Sequence, residues 1–159
     1  MTTAALALLL ALPTAPAPQP DAFTAWALAT VERPGLDPWK RSLLREAIAT
    51  RPTYRTATCT SYCSACSGSR TCYGEPLRQG TAAADRSRYR VRPWREHAAV
   101  IWLDRPREFG GPLLVTLTDV GGAIQGRDRL DLCAGLRARC TCNAWGRRSV
   151  QYVALRGER

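Results

Sequence analysis

The stretch "TDVGGAIQGRDRLDL" (118–132) decides the fold, because it carries paired acids around a glycine-rich turn. Asp119 and Asp131 enclose small and apolar residues, and Asp128 lies just inside. So many glycines do not suit the interior of a helix, since glycine loses the most backbone freedom on ordering. The stretch therefore predicts a loop between two strand ends, with a carboxylate held on either side.

Working outward, the chain from 53 to 159 reads as short strands separated by turn residues. The strand-like segments are YRTATCTSYC (54–63), TAAAD (81–85), AAVIWL (98–103), LLVTLT (113–118), LDL (130–132) and SVQYVAL (149–155). The first of them is rich in Thr, Tyr and Cys, as strands are. Short strands with few helices predict a mainly β fold that closes into a small barrel.

Residues 18–52 differ from the rest, because they contain no cysteine and show two helical patterns. An Ala-rich helix is predicted over 21–32, ended by Pro34-Gly35. Asp37 then suits an N-cap with Pro38 at the first helical position, and the second helix runs to residue 50. We expect a short helical N-terminal segment that packs on, or tethers, a domain spanning 53–159.

The first residues resemble a targeting signal. An apolar run over 4–12 is about half the length that a membrane span needs. It is followed by "APA" (15–17), which has the small-x-small form of a cleavage site. We predict a signal peptide over 1–17, an exported protein (periplasm, cell envelope or extracellular) and no stable membrane span in the mature chain. The alternative is a misplaced start codon or an Ala-rich helix of a cytosolic protein.

The net charge of +10 comes almost entirely from arginine, with Lys40 as the only lysine. A basic surface favours an anionic partner, such as a wall polymer. The alternative is that a GC-rich genome encodes arginine in place of lysine. Nucleic acid is not the expected partner, because no stretch combines basic residues with stacking aromatics or matches a nucleic-acid-binding module. We expect a monomer.

Seven cysteines crowd into two short regions. They are Cys59, Cys63, Cys66, Cys72, Cys133, Cys140 and Cys142. In an exported chain this pattern predicts three disulfides and one free thiol. In a cytosolic chain, Cys63-x2-Cys66 with Cys140-x-Cys142 is a possible zinc site. A catalytic cysteine paired with His97 is a weaker alternative, because no oxyanion motif surrounds any cysteine.

Three acids stand at or near strand ends beside small residues: Asp85, Asp119 and Asp131. Strand ends present side chains to a groove, so the three predict one site at the mouth of the barrel. The plain alternative is that aspartates cap and bend turns. Asp104 and Asp128 are assigned to turns.

The chain resembles the 3D (Asp-Asp-Asp) domain family, a double-psi β-barrel found in peptidoglycan lytic transglycosylases. The segments that carry the resemblance are "ATCTSYC" (57–63), "TCYG" (71–74), "AAAD" (82–85), "DVGGAIQGRDRLD" (119–131) and "AWGRRSVQYVAL" (144–155). They occur in the family's order, and the fourth segment is the specific one. Three departures stand out: Gln125 replaces a frequent lysine, the spacer before Asp131 holds one extra residue, and the loop from Asp85 to Asp119 is long.

The resemblance implies a six-stranded double-psi barrel whose Asp131 is the acid and base of a glycan lyase. Asp119 would be the neighbouring carboxylate that keeps Asp131 protonated, and Asp85 would orient or bind substrate. No cofactor and no metal are implied for this reaction.

Four loop residues are candidates for binding substrate. Gly121, Gly122 and Gly126 have no Cβ to keep a sugar from the backbone, and Gln125 offers an amide to the glycan. The alternatives are plain turn geometry for the glycines and an exposed polar loop residue for Gln125.

The implied reaction cleaves the MurNAc–GlcNAc β-1,4 bond of peptidoglycan glycan strands to a 1,6-anhydro-muramyl product. Two other functions stay open: an inactive, expansin-like barrel that only binds wall glycan, and a cysteine-rich secreted interaction module. Trp94, Trp102 and Trp145 are candidate sugar platforms, although Trp102 fits the core and Trp145 fits the end of the barrel.

Overall fold

In the computed structural model, which describes residues 21–93, 98–104, 111–140 and 142–159, six strands close into a barrel. The strands are β1 (Tyr54–Tyr62), β2 (Thr81–Ala84), β3 (Val100–Asp104), β4 (Leu113–Asp119), β5 (Arg129–Cys133) and β6 (Arg148–Arg156). The helices are α1 (Ala22–Val31), α2 (Pro38–Thr50), α3 (Ser64–Ser67) and α4 (Cys142–Trp145). The predicted mainly β barrel is confirmed.

The order of strands around the barrel is β1-β5-β2-β4-β3-β6. β1 runs parallel to β5 and β2 runs parallel to β4, whereas the other neighbours are antiparallel. The antiparallel contact of β2 with β5 joins the two parallel pairs. This mixed, crossed-over sheet agrees with the double-psi arrangement, and it places β5 and β4 on either side of β2.

The interior of the barrel is filled by residues that alternate along the strands with outward-facing ones. Its members include Ala57, Cys59, Ala82, Ala84, Leu117, Leu130, Leu132 and Tyr152. The hydroxyl of Tyr152 lies 3.0 Å from that of Tyr89 and donates to Asp128 Oδ1 at 2.8 Å. Asp128 therefore serves the core by binding a tyrosine of the barrel interior.

α1 and α2 pack against the outside of the barrel, which is one of the two arrangements that the sequence left open. Trp102 of β3 is buried between them and the wall, with its ring edge-on to Phe23 at 5.5 Å between centroids. Asp21 caps α1, because its Oδ1 accepts the Thr24 N–H at 2.8 Å. Trp102 is thus a core residue and not a sugar platform.

Several predictions fall wholly or partly outside the described residues. The signal peptide over 1–17, Trp94 and His97 belong to this group. Within the described ranges, no helix has the length and apolar character that crossing a membrane requires.

Candidate active site

The strand register aligns the candidate residues in one row across the wall of the barrel. Asp131 of β5 pairs with Thr60 of β1 on one side and with Ala83 of β2 on the other. Ala83 in turn pairs with Asp119 of β4. The two carboxylates therefore flank a single alanine, whose methyl group leaves room between them.

This row faces the outside of the barrel. Within β5, Leu130 and Leu132 point into the core, so Asp131 between them points outward. Ala83 packs in a separate outer cluster with Tyr62 and Cys133. The predicted position at the mouth of the barrel is therefore corrected: Asp131 stands in the middle of a strand, and the site opens on the barrel wall.

A β-bulge brings Asp119 to the same outer face. Leu117 pairs with Ala82 and faces the core, so strict alternation would turn Asp119 inward as well. The register shifts between Ala82 and Ala83 and leaves Thr118 without a pairing partner in this ladder. The extra residue reverses the side on which Asp119 emerges, which is a known use of bulges near functional sites.

Asp131, Ala83 and Asp119 of this row line a groove of about 300 Å³. Its lining consists of Tyr62, Ser67, Arg70, Thr71, Cys72, Ala83, Asp119, Val120, Gly121 and Asp131. This volume is near the lower end of the range of ligand sites, roughly 300–1,000 Å³. Both acids that enclose the glycine-rich loop thus meet in one cavity.

Asp131 is a partly buried carboxyl group with a second acid nearby. Burial raises its pKa above the usual range, and the nearby charge of Asp119 adds to the rise. Opposing effects come from Thr60, whose hydroxyl donates to Asp131 Oδ1 at 2.7 Å, and from the charge of Arg129. Asp119 is thus a minor contributor, and burial is the main reason that the pKa of Asp131 is raised.

Asp119 is a buried acceptor of hydrogen bonds. Its Oδ1 accepts the Cys72 N–H at 2.8 Å and the Val120 N–H at 2.9 Å, and its Oδ2 accepts the Tyr62 hydroxyl at 3.2 Å. Asp119 therefore fixes two walls of the groove while it supplies negative charge beside Asp131.

Asp85 does not line the groove that holds the other two acids. Its Oδ2 accepts the Gly126 N–H at 2.7 Å and its Oδ1 accepts the Ser87 N–H at 2.8 Å. These bonds hold the pKa of Asp85 below its usual value. Gly126 has φ +89°, a conformation that favours glycine. Asp85 therefore fixes the glycine-rich loop at Gly126.

Of the four loop residues that are candidates for binding substrate, Gly121 lines the groove. A Cβ at Gly121 would lie 3.0 Å from Ile124 Cγ1, so a side chain there would push on the loop. Gly122 and Gln125 are exposed outside the groove lining, and the Gln125 amide donates to the Gly122 carbonyl at 3.1 Å. Gly126 is held by its bond to Asp85.

All seven cysteines lie in the described part of the chain, and none is bonded to another. The three expected disulfides are therefore absent from this structure. Cys59 is buried inside the barrel, and burial raises the pKa of its thiol to about 12. Trp145 is buried at the end of the barrel.

Sequence reasoning missed several residues of the site: Thr60, which donates to Asp131, and Tyr62, Arg70 and Cys72, which line the groove. The first two alternate with the core residue Cys59 along "TCTSY", which marks a strand with one polar outer face. This alternation can be read from the sequence, but the strands that β5 pairs with cannot. Arg70 and Cys72 come from a long loop whose course the sequence does not predict.

No family model and no curated protein matches the chain. Its structure is similar to that of the lytic transglycosylase MltA from E. coli, with 21% identity and a TM-score of 0.42 over 55% of this chain and 27% of MltA. It is also similar to the lytic transglycosylase LtgG of Burkholderia pseudomallei, with 21% identity and a TM-score of 0.40 over 86% of this chain and 43% of LtgG. The chain spans less than half the length of each.

Proposed function

We propose that this protein is an exported peptidoglycan lytic transglycosylase with Asp131 as its single acid and base. The observation that carries the proposal is a half-buried carboxyl group of raised pKa in an outer groove, beside a second carboxylate. A glycan lyase of this kind needs an acid that is protonated near neutral pH. The 119–131 motif resemblance supports the same chemistry.

The proposed reaction begins when Asp131 gives its proton to the oxygen of the MurNAc–GlcNAc bond. The bond from the anomeric carbon to that oxygen breaks, and positive charge develops on the muramyl ring. The muramyl 6-hydroxyl then attacks the anomeric carbon, and the Asp131 carboxylate accepts the proton of that hydroxyl. The products are the released glycan end and a 1,6-anhydro ring, so no water and no covalent enzyme intermediate are needed.

The neighbours of Asp131 divide this work. Thr60 occupies Oδ1, which leaves Oδ2 to carry the transferred proton. Asp119 supplies negative charge across Ala83, which stabilises a positively charged sugar ring in the space between them. Arg70 in the groove lining offers a cation to carboxylates of the wall peptides.

The test is digestion of purified sacculi by the full chain, with mass spectrometry of the soluble products. We expect muropeptides that end in 1,6-anhydro-muramic acid, two hydrogens and one oxygen lighter than the products of hydrolysis. Reducing ends would instead show a hydrolase, which contradicts the proposed mechanism.

A pelleting assay with the same sacculi separates the alternatives. Binding without release of products at any pH would favour the wall-binding barrel. Two features support that alternative: Gln125 is exposed, and Asp85 does not line the groove. Absence of binding would remove both functions and leave the secreted interaction module.

A further inference from the structure

Four of the seven cysteines converge at one point outside the groove. The Sγ atoms of Cys63, Cys66, Cys140 and Cys142 all lie within 4.8 Å of one another. A tetrahedral ion with bonds of about 2.3 Å to sulfur requires sulfur atoms roughly 3.8 Å apart. The Sγ atoms of Cys63 and Cys66 lie 3.7 Å apart, which matches that edge.

The two arms that carry these cysteines are held together by other bonds. Ser64, beside Cys63, donates its N–H to the Gly135 carbonyl at 3.3 Å. Its hydroxyl accepts the Arg137 N–H at 2.9 Å, on the segment that leads to Cys140. The sulfur cluster therefore rests on a junction between the end of β1 and the start of α4.

Local donors and burial also suit bound thiolates. The Cys63 N–H donates to the Cys66 sulfur at 3.4 Å, a contact that stabilises negative charge on sulfur. Cys63 and Cys142 are buried, whereas Cys66 and Cys140 are exposed. One side of the cluster is thus sealed by protein, and the other admits an ion.

We propose that Cys63, Cys66, Cys140 and Cys142 bind one zinc ion as a structural site with four cysteine ligands. Four soft thiolates in tetrahedral reach favour zinc, and they leave no open position for a substrate or a water. Binding converts four thiols to thiolates and releases four protons, with no change in oxidation state. The site replaces the disulfides that the cysteine count had predicted.

The proposed ion braces one wall of the groove. α3 carries both Cys66 and Ser67, and Ser67 lines the cavity beside Asp131. α3 is a single short turn, and such a helix has little stability of its own. Zinc would hold this turn against the α4 arm, so its removal is expected to lower the midpoint of thermal unfolding.

The experiment measures metal in the full chain, purified with reductant and without chelator, by plasma mass spectrometry. We expect one zinc ion per chain in the wild type and near-complete loss in Cys66→Ser/Cys140→Ser, whose altered residues are exposed. Cys72→Ser is the matched control, since Cys72 is also exposed but lies outside the cluster, and it should keep its zinc.

Two readouts on the wild-type protein apply even if the double variant fails to fold. Protein stripped of metal and titrated with Co²⁺ should show the visible absorption of tetrahedral thiolate coordination. Intact mass under non-reducing conditions should match seven free thiols. A mass lower by two hydrogens per bond at these cysteines, or iron in place of zinc, would overturn the assignment.

Discussion

At the scale of the residue, Asp131 is defined by neighbours that act in opposite directions. Burial and Asp119 favour its protonated form, whereas the Thr60 hydroxyl favours the carboxylate. A residue that must give and then take back a proton benefits from such a balance. The sequence suggested the pairing with Asp119, whereas Thr60 was recognisable only as a polar residue on the outer face of its strand.

Thr60→Val should move the pH profile of glycan cleavage. The variant removes a hydrogen bond that lowers the pKa of Asp131, so that pKa rises further. Because the reaction needs protonated Asp131, the alkaline limb of the rate profile should shift to higher pH. Thr60→Ser keeps the hydroxyl and should keep the wild-type limb. A shift to lower pH in Thr60→Val would contradict this role.

Asp131→Asn should stabilise the fold at neutral pH while it removes the acid. The folded-state pKa of Asp131 is raised by burial, so wild-type stability is lost as pH rises through that pKa. The asparagine variant has no such loss. Its thermal midpoint should therefore exceed the wild type above pH about 4, the ordinary pKa of aspartate, with the gap growing until the raised pKa is passed. At lower pH, where both side chains are neutral, the midpoints should approach each other; a constant gap would contradict the burial argument.

At the scale of the element, the bulge in β4 decides which face Asp119 occupies. The sequence predicted that β4 reaches Asp119, and it predicted both helices and the segments that form strands. It did not predict the bulge or the row Thr60–Asp131–Ala83–Asp119, because both depend on which strands become neighbours. Parallel pairing of β1 with β5 links residues far apart in the chain, and no local pattern records it.

Deletion of Thr118 tests the bulge. Without this residue, Asp119 follows Leu117 directly, so plain alternation along the strand keeps the Asp119 side chain on the outer face, opposite Ala83 and without a bulge. We expect the deletion to retain glycan cleavage, because Asp131, Ala83 and Asp119 stay in one row. Thr118→Val is the control, since the Thr118 hydroxyl is buried without a partner among the described residues. That variant should also retain activity; loss of cleavage in the folded deletion variant alone would refute the register argument.

At the scale of the whole molecule, the helical segment packs against the barrel. Phe23 of α1 is buried against Trp102, whereas Leu28 on the same helix is 49% exposed. The sequence indicated this segment and left open whether it packs or merely tethers. The segment packs on the barrel, because the indole of Trp102 contacts the helices rather than the barrel interior.

Phe23→Ala should destabilise the protein by about 3–5 kcal/mol, because it leaves a cavity beside Trp102. Leu28→Ala should change the free energy of unfolding by less than about 0.5 kcal/mol, as exposed substitutions do. Urea unfolding followed by tryptophan fluorescence measures both. Equal, small effects would show that the helices are a tether and not part of the cooperative unit.

The central claim for the whole molecule is that one carboxyl group, Asp131, performs both proton transfers of a glycan lyase. The most direct measurement compares wild type with Asp131→Asn on purified sacculi, with 1,6-anhydro-muropeptides quantified by mass spectrometry. We predict release by the wild type and a loss of at least about 10²-fold in the variant, the usual contribution of general acid–base catalysis, with binding to sacculi unchanged. Anhydro products at the wild-type rate from Asp131→Asn would contradict the claim.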